Sequence, residues 1–440
     1  MSLGPPEKVW KLQSTLHAKA KEAPSYRFYA LYDKVFREDV LAYAYRKCRR
    51  NGGSAGVDGE SFAEIESREQ EWLGALREEL RKKTYAPQPV LRVWIPKANG
   101  SHRPLGIPTI RDRVVQTAAV MVLEPIFEAD LQPEQYAYRP GRSALDAVRR
   151  VHSLVNTGHE EVVDADLSGY FDSIPHGNLL KSVARRVSDG RMMRLIKMWL
   201  SAPVVEIDRR GRHRRIPPAQ GKGRGCPQGA PISPLLANLY MRRVVLGWKT
   251  LGYARRFGAE IVNYADDLVI CCRRGASEAL EAMRHLMDRL CLTVNERKTR
   301  VCRLPDERFD FLGYTIGRCY SRESGKSYLG TRPSKRAVQK ICRAISEQTQ
   351  PRWGLTAVET RVERLNRSMI GWANYFCLGP VSPAYAAVDR HARRRLRQWL
   401  CRKHKVRDRG TARYPDEYLS EELGLTQLTL RTHSLPWANA

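Results

Sequence analysis

The sequence predicts an α+β architecture in which a mixed strand-and-helix region lies between two helical ones. Three observations carry this. At 440 residues the chain exceeds what one compact core organises, so two or three domains are expected. Between about residues 90 and 320 short β-rich runs alternate with longer helical patterns, the signature of an α/β or α+β unit. From about residue 335 the strand pattern stops and three amphipathic helices follow. No fixed-period repeat interrupts this order.

Residues 1 to about 85 read as mainly helical, broken by the turn-rich run Asn51-Gly52-Gly53-Ser54-Ala55-Gly56-Val57-Asp58-Gly59. Its glycines suit backbone that packs close to something, either a nucleic-acid strand or a neighbouring helix. Leu91 to Pro96 alternates like a strand, and Arg111 to Phe127 reads as a helix. Glu161 to Leu167, Ile261 to Tyr264, Leu268 to Cys272 and Arg308 to Ile316 are strand-like. In the first C-terminal helix Val338, Ile341, Cys342 and Ile345 form an apolar stripe. The second opens with Thr356 and Glu359 at capping-box spacing and carries Val358, Val362, Leu365, Met369, Trp372 and Phe376. The third begins Ser382-Pro383, a cap followed by proline at the first helical position. It would bury Tyr385, Val388, Ala392, Leu396 and Trp399. Arg390, Arg393, Arg394, Arg395 and Arg397 crowd that helix. They read either as a solvated basic face or, given their repulsion, as a face for phosphates. The tail after Lys405 is less regular.

Composition narrows the function. With 42% hydrophobic residues and no low-complexity tract the chain is an ordinary globular protein. No apolar run approaches the ~18–20 residues of a membrane helix, and the first residues lack a signal-peptide core. A cytoplasmic protein without a membrane partner is expected. The formal charge of +29 opposes compaction, and a polyanion would offset it; nucleic acid is the usual one. None of the ten cysteines forms a C-x-x-C pair. They read as reduced, mostly buried apolar residues rather than a metal or disulfide framework.

The most informative string is Ile261-Val262-Asn263-Tyr264-Ala265-Asp266-Asp267-Leu268-Val269-Ile270. Two adjacent carboxylates sit at a turn between apolar β-type runs. Their repulsion in a partly desolvated place is relieved by a divalent cation with hard oxygen ligands. Phosphoryl transfer by two metals needs a further carboxylate from elsewhere. Asp164 and Asp166, the latter 100 residues before Asp266, share one face of a strand, so pattern leaves both open. Asp172 reads as a helix cap near Pro175.

Four strings now stand in order: Asp166 to Asp172 (Asp-x-x-x-x-Phe-Asp), Pro227-Gln228-Gly229, Tyr264-Ala265-Asp266-Asp267 and Phe311-Leu312-Gly313. The series resembles the reverse transcriptases encoded by group II introns. Leu365-Asn366-Arg367-Ser368-Met369-Ile370-Gly371-Trp372-Ala373-Asn374-Tyr375-Phe376 resembles that family's maturase, or X, segment, which serves as the thumb. The resemblance implies a right-hand polymerase. Residues 1–88 would be an N-terminal extension with the start of the fingers, 89–325 fingers and palm, 326–404 a helical thumb, and 405–440 a short basic DNA-binding-like segment.

It further implies RNA-directed DNA synthesis with two Mg²⁺ ions. Asp166, the Leu167 backbone carbonyl, Asp266 and Asp267 would be the ligands, and the three aspartates the catalytic residues. Phe171 would exclude a 2′-hydroxyl, with Tyr170 a rival for that role. Gln228, in Gly225 to Pro234, would contact the nucleotide, with flanking glycines letting backbone approach the template. Lys97 and Arg103 would neutralise the triphosphate, and Lys298 would protonate departing pyrophosphate. Arg390, Arg393, Arg394 and Arg397 would grip nucleic acid. Expected partners are an RNA template, intron RNA, a DNA primer or target, and dNTPs. A Cys/His-bearing nuclease segment, which many relatives carry, is not recognisable, so priming from a nick or single-stranded DNA made by another activity is expected. A non-catalytic RNA-binding splicing factor and a reverse transcriptase of repair or defence are the alternatives.

Overall fold

The computed structural model describes residues 4–96, 102–208, 211–216, 223–321 and 324–434. Five helices open the chain: α1 (Glu7–Glu22), α2 (Tyr32–Val35), α3 (Glu38–Asn51), α4 (Phe62–Glu66) and α5 (Glu69–Lys82). Strands β1 (Val90–Pro96) and β2 (His102–Ile107) follow, then α6 (Ile110–Glu128) and α7 (Ala144–Val155). Next come β3 (Glu161–Asp166), α8 (Tyr170–Ser173), α9 (His176–Ala184), α10 (Gly190–Leu200), β4 (Val204–Ile207) and β5 (His213–Ile216). After them run α11 (Ser233–Thr250), α12 (Tyr253–Arg256), β6 (Ala259–Tyr264), β7 (Asp267–Cys272) and α13 (Ala276–Arg289). The chain continues with β8 (Arg300–Arg303), β9 (Phe309–Phe311), β10 (Tyr314–Tyr320) and β11 (Ser327–Pro333). Helices α14 (Lys335–Gln348), α15 (Val358–Tyr375) and α16 (Ser382–Lys403) follow, and after them a short π-helix (Tyr418–Glu422) and a 3-10 helix (Leu428–Ser434).

Three sheets form. The first runs β2-β1-β4-β5, the second β6-β7-β3-β8 and the third β11-β10-β9. The second sheet is central, because alternation buries both its faces. Val163 and Ala165 of β3, with Leu268, Ile270 and Cys272 of β7, face the large core that also holds α6, α11 and α13. Val162, Val269 and Cys271 face a second core with α7 and the third sheet. The adjacent Cys271 and Cys272 therefore point to opposite faces, and all ten cysteines are free. A third core joins α14, α15 and α16 to the C-terminal segment.

Several local expectations are corrected. The run read as one strand, Arg308 to Ile316, is a hairpin: Phe311 pairs with Tyr314, and Leu312 (φ 48°) and Gly313 (φ 83°) make the turn. Two successive left-handed residues are what a two-residue hairpin loop needs. Strand β11 pairs along its length with β10, so the 325/326 boundary meets the sheet rather than the helices. No capping box forms at Thr356; α15 starts after Ala357 without a side-chain cap, and the Thr356 hydroxyl accepts from Arg361 instead. Helix α16 includes Ser382, one residue earlier than expected.

The glycine run before α4 packs against protein. A Cβ on Gly56 would stand 2.6 Å from the Thr109 Cα, and Arg113 donates to the carbonyls of Gly52 and Ser54. The C-terminal segment, unreadable by pattern, docks on α16: buried Asp389 accepts from the Leu428 amide at 2.9 Å and the Thr429 amide at 3.0 Å. Arg186 ties the N-terminal segment to the central domain and is 2% exposed. Its Nη1 donates to the carbonyls of Ala23, Pro24 and Tyr26, its Nη2 to Ala20, and its Nε pairs with Asp130 at 3.2 Å.

Candidate active site

Strands β6 and β7 are joined by the two-residue turn Ala265-Asp266, closed by the register pair Tyr264 and Asp267. Ala265 takes φ 58°, a conformation that favours glycine. Asn263 holds it there: fully buried, its Nδ2 donates to the Ala265 carbonyl at 2.9 Å and the Asp267 carbonyl at 3.2 Å. Antiparallel pairing of β3 with β7 sets Asp166 directly opposite Asp267. That pairing separates the two strand aspartates, since Asp164 instead stands opposite Val269 and meets Arg300 at 3.7 Å. Leu167 buries its side chain (4% exposed), leaving its backbone beside Asp166.

Charge crowding marks the spot. Asp267 is pushed up to about 7, first by lost hydration and then by Asp266, Asp166 and Asp164, with Lys298 opposing. Asp164 rises to about 6, again mainly by burial, with Arg300 opposing. The Asp166 carboxylate accepts from Asn295 Nδ2 at 2.9 Å and lies 3.1 Å from Lys298 Nζ. Among the described residues no three His, Cys, Asp or Glu side chains stand grouped to hold an ion. The donor chemistry nevertheless fits a hard divalent cation: two carboxylates face each other, a third sits on the adjoining turn, and their mutual repulsion raises Asp267. For that cation to bind, Asp166 has to exchange Lys298 for it.

A pH-dependent expectation follows. A carboxyl raised from 3.8 to about 7 contributes stability that is complete below its unfolded value and lost as pH rises through about 7. A cation binds the ionised form. Millimolar Mg²⁺ should therefore raise the melting temperature more at pH 8 than at pH 6 in thermal-shift measurements, and Ala at Asp267 should remove most of the difference.

The strings expected to contact the nucleotide meet one another after β3. Tyr170 is buried (2% exposed), its hydroxyl donating to the Ala237 carbonyl at 2.7 Å. Phe171 is half-buried, and its carbonyl accepts from the Cys226 amide at 2.7 Å. Of the two aromatics, only Phe171 keeps an accessible edge. Asp172 is not a helix cap: it lies within α8 and accepts from Gln228 Nε2 at 3.3 Å. The Gln228 carbonyl accepts from the Gly106 amide at 2.6 Å. A Cβ on Gly229 (φ 106°) would stand 2.4 Å from the Gly106 oxygen. This glycine lets the pocket loop lie against β2, so its close approach is to protein backbone.

Arg103 is exposed on β2, opposite Ile95. Lys97 lies outside the described residues. On α16 the arginines divide. Arg393 and Arg397 pair with Asp416, Arg397 also donates to the Tyr414 carbonyl, and Arg395 donates to Ser346 and Thr349. Arg390 and Arg394 are exposed. A single phosphate-facing row of Arg390, Arg393, Arg394 and Arg397 is thus not what the helix presents, because Asp416 already occupies two of them.

Tyr138 escaped the sequence reading. It is 48% exposed, has φ 54°, and lies within electrostatic reach of Asp266, Tyr264, Arg103 and Asp267. Its strained backbone is held by Arg139, which pairs with Glu128 and donates to the carbonyls of Gln132 and Gln135 at 2.7 and 2.8 Å. Exposed aromatics on strained, over-determined backbone concentrate at functional sites. The only advance signal was the Pro140-Gly141 turn that follows.

Residues 95–316 match the family described as reverse transcriptase (RNA-dependent DNA polymerase), and residues 338–414 the group II intron maturase-specific domain. Protein YkfC of Escherichia coli (strain K12) is 34% identical over 75% of this chain and 93% of its own length. The group II intron-encoded protein LtrA of Lactococcus lactis subsp. cremoris is 32% identical over 49% of this chain, a match covering 35% of LtrA. The retron Mx65 reverse transcriptase of Myxococcus xanthus is 28% identical over 48% of this chain.

Proposed function

Because the chain belongs to the group II intron reverse transcriptase and maturase family, we propose that Asp166, Asp266 and Asp267 are the catalytic carboxylates of an RNA-directed DNA polymerase. With the Leu167 carbonyl they would hold two Mg²⁺ ions. One observation supports this above the others: Asp166 stands in register with Asp267, beside a turn that carries Asp266. When bound, the ions activate the primer 3′-hydroxyl for attack on the α-phosphate and offset charge on the departing pyrophosphate.

The chain's own groups do the rest. Arg103, and Lys97 on the same segment, neutralise the triphosphate. Lys298 Nζ, already at Asp166, can hand a proton to pyrophosphate. Gln228 contacts the incoming nucleotide from a loop braced on β2. Tyr138 offers an aromatic face at the tip of the hairpin, where a sugar or base packs. Phe171 closes the space a ribose 2′-hydroxyl would need. Single-nucleotide extension of a DNA primer on an RNA template tests this last role. Phe171→Ala should narrow the preference for dNTP over rNTP by about 10- to 100-fold, the range a steric pocket commands. An unchanged preference would remove Phe171 from the role.

The maturase-like helices point to intron RNA as a second substrate, whose spliced fold the protein would stabilise. Of the four arginines expected to grip nucleic acid, Arg390 and Arg394 are the exposed ones with no carboxylate partner among the described residues, Arg394 meeting His391 at 3.3 Å, and a DNA target would supply the primer. The family's RNA partners support a place in a ribonucleoprotein. Among the described residues no helix is long and apolar enough to cross a membrane.

A further inference from the structure

A second cationic feature lies away from the carboxylates. Helices α9 and α11 pack together, and between them opens a cavity of about 430 Å³. Lys181 and Arg185 line it from one side, four residues apart and so on one face of α9 and its C-cap. Arg242 and Arg243 line it from α11, over a floor that includes Leu239 and Leu246. The one carboxylate in the lining, Asp130, is engaged by Arg186 at 3.2 Å.

None of the four cations has a carboxylate within ion-pairing distance among the described residues. Their charge is felt locally: burial holds Arg242 below the usual range, and the like charges of Arg185 and Arg186 add to this against Asp130. Arg243 Nη1 is sealed from solvent with no hydrogen-bond partner. Four cations thus line a partly apolar hollow against one carboxylate, with Arg242 Nε donating to the Asp130 carbonyl at 2.7 Å, and an anion would meet complementary charge there. An apolar floor beneath a cationic rim suits a nucleotide unit, its phosphates at the rim and its base below. Arg242 sits nine residues along α11 from Ser233, about 14 Å from the start of the helix beside the nucleotide loop. None of the residues lining the cavity is among those placed at the carboxylates or in the nucleotide loop.

We infer that this cavity is a phosphate-binding site for RNA outside the polymerase cleft. The inference rests on the family's RNA-binding function and adds to it a location. A strand gripped here would tether the enzyme to structured RNA while the cleft works on primer and template.

The test is equilibrium binding of a 60-nucleotide single-stranded RNA across a salt series, without dNTPs. The Lys181→Gln/Arg185→Gln variant changes two exposed side chains and should keep the fold. Each lost phosphate contact lowers the slope of log K against log salt by about 0.7. The double variant should lose about 1.4 in slope and about tenfold in affinity near 0.15 M salt. Arg243→Gln should lose about half as much slope from the other wall. Arg255→Gln/Arg256→Gln, two exposed arginines outside the cavity, should lose less than half of the double variant's effect. Incorporation of dNTPs on a short annealed primer–template should stay at the wild-type rate. Equal slopes for the cavity and control variants overturn the cavity alone. Failure of the wild type to bind the RNA overturns the RNA-binding function itself, and the cavity with it.

Discussion

Asp266→Asn is expected to lower kcat/KM for dNTP incorporation by about 10³-fold, roughly 4 kcal/mol of transition-state stabilisation, without unfolding the protein. The residue sits exposed at the turn, and the turn is held by Asn263 rather than by Asp266 itself. The amide keeps the size and removes the charge. Losing that charge also relieves Asp267, whose ionisation Asp266 opposes. The Asn variant should therefore melt at or slightly above the wild-type temperature while its extension rate collapses. Steady-state kinetics and a thermal melt of the same preparation read both. A fall in stability matching the fall in rate would assign Asp266 a structural role.

Arg186→Met should have the largest effect on folding. The guanidinium donates to four main-chain carbonyls near the end of α1 and pairs with Asp130, all at 2% exposure. Methionine fills much of the volume but removes the guanidinium donors from all four carbonyls and the partner of Asp130, and of the carbonyls Ala23 keeps the Tyr26 amide at 3.0 Å. Breaking a buried charged network of this kind costs about 3–5 kcal/mol. Denaturant midpoints should fall accordingly, and limited proteolysis should cut first between α1 and α2. Arg186→Lys, with fewer donors in a different geometry, should recover only part of the loss.

The outcome shows which physical signals a sequence carries. The Tyr264–Asp267 turn was legible because two adjacent carboxylates interrupt apolar β-type runs on both sides. The choice between Asp164 and Asp166 was not legible from alternation, because they share a face and only the pairing with β7 separates them. The resemblance selected Asp166, which stands opposite Asp267. The β9–β10 hairpin was read as one strand because apolar β-type residues stand on both sides of Leu312-Gly313, and the shift of their alternation by one position at Phe311-Leu312 is a weak mark of the turn. Thr356 looked like a cap because cap preference is local, whereas Arg361 claims its hydroxyl from inside the helix. The α16 arginines looked like one face because charge counts do not see Asp416, which reaches Arg393 and Arg397 only after the tail folds back. Tyr138 was invisible because left-handed backbone at a non-glycine is imposed by tertiary contacts, here those of Arg139.

Local cleavage by a substituted metal asks most directly whether a divalent cation sits among Asp166, Asp266 and Asp267. Fe²⁺ with peroxide cuts main chain close to where it is bound. Cuts are expected in two windows, around Asp166–Leu167 and around Ala265–Asp267, both suppressed by excess Mg²⁺ and both absent from Asp266→Asn. Cuts elsewhere, or cuts at these windows that persist in Asp266→Asn, would contradict the assignment.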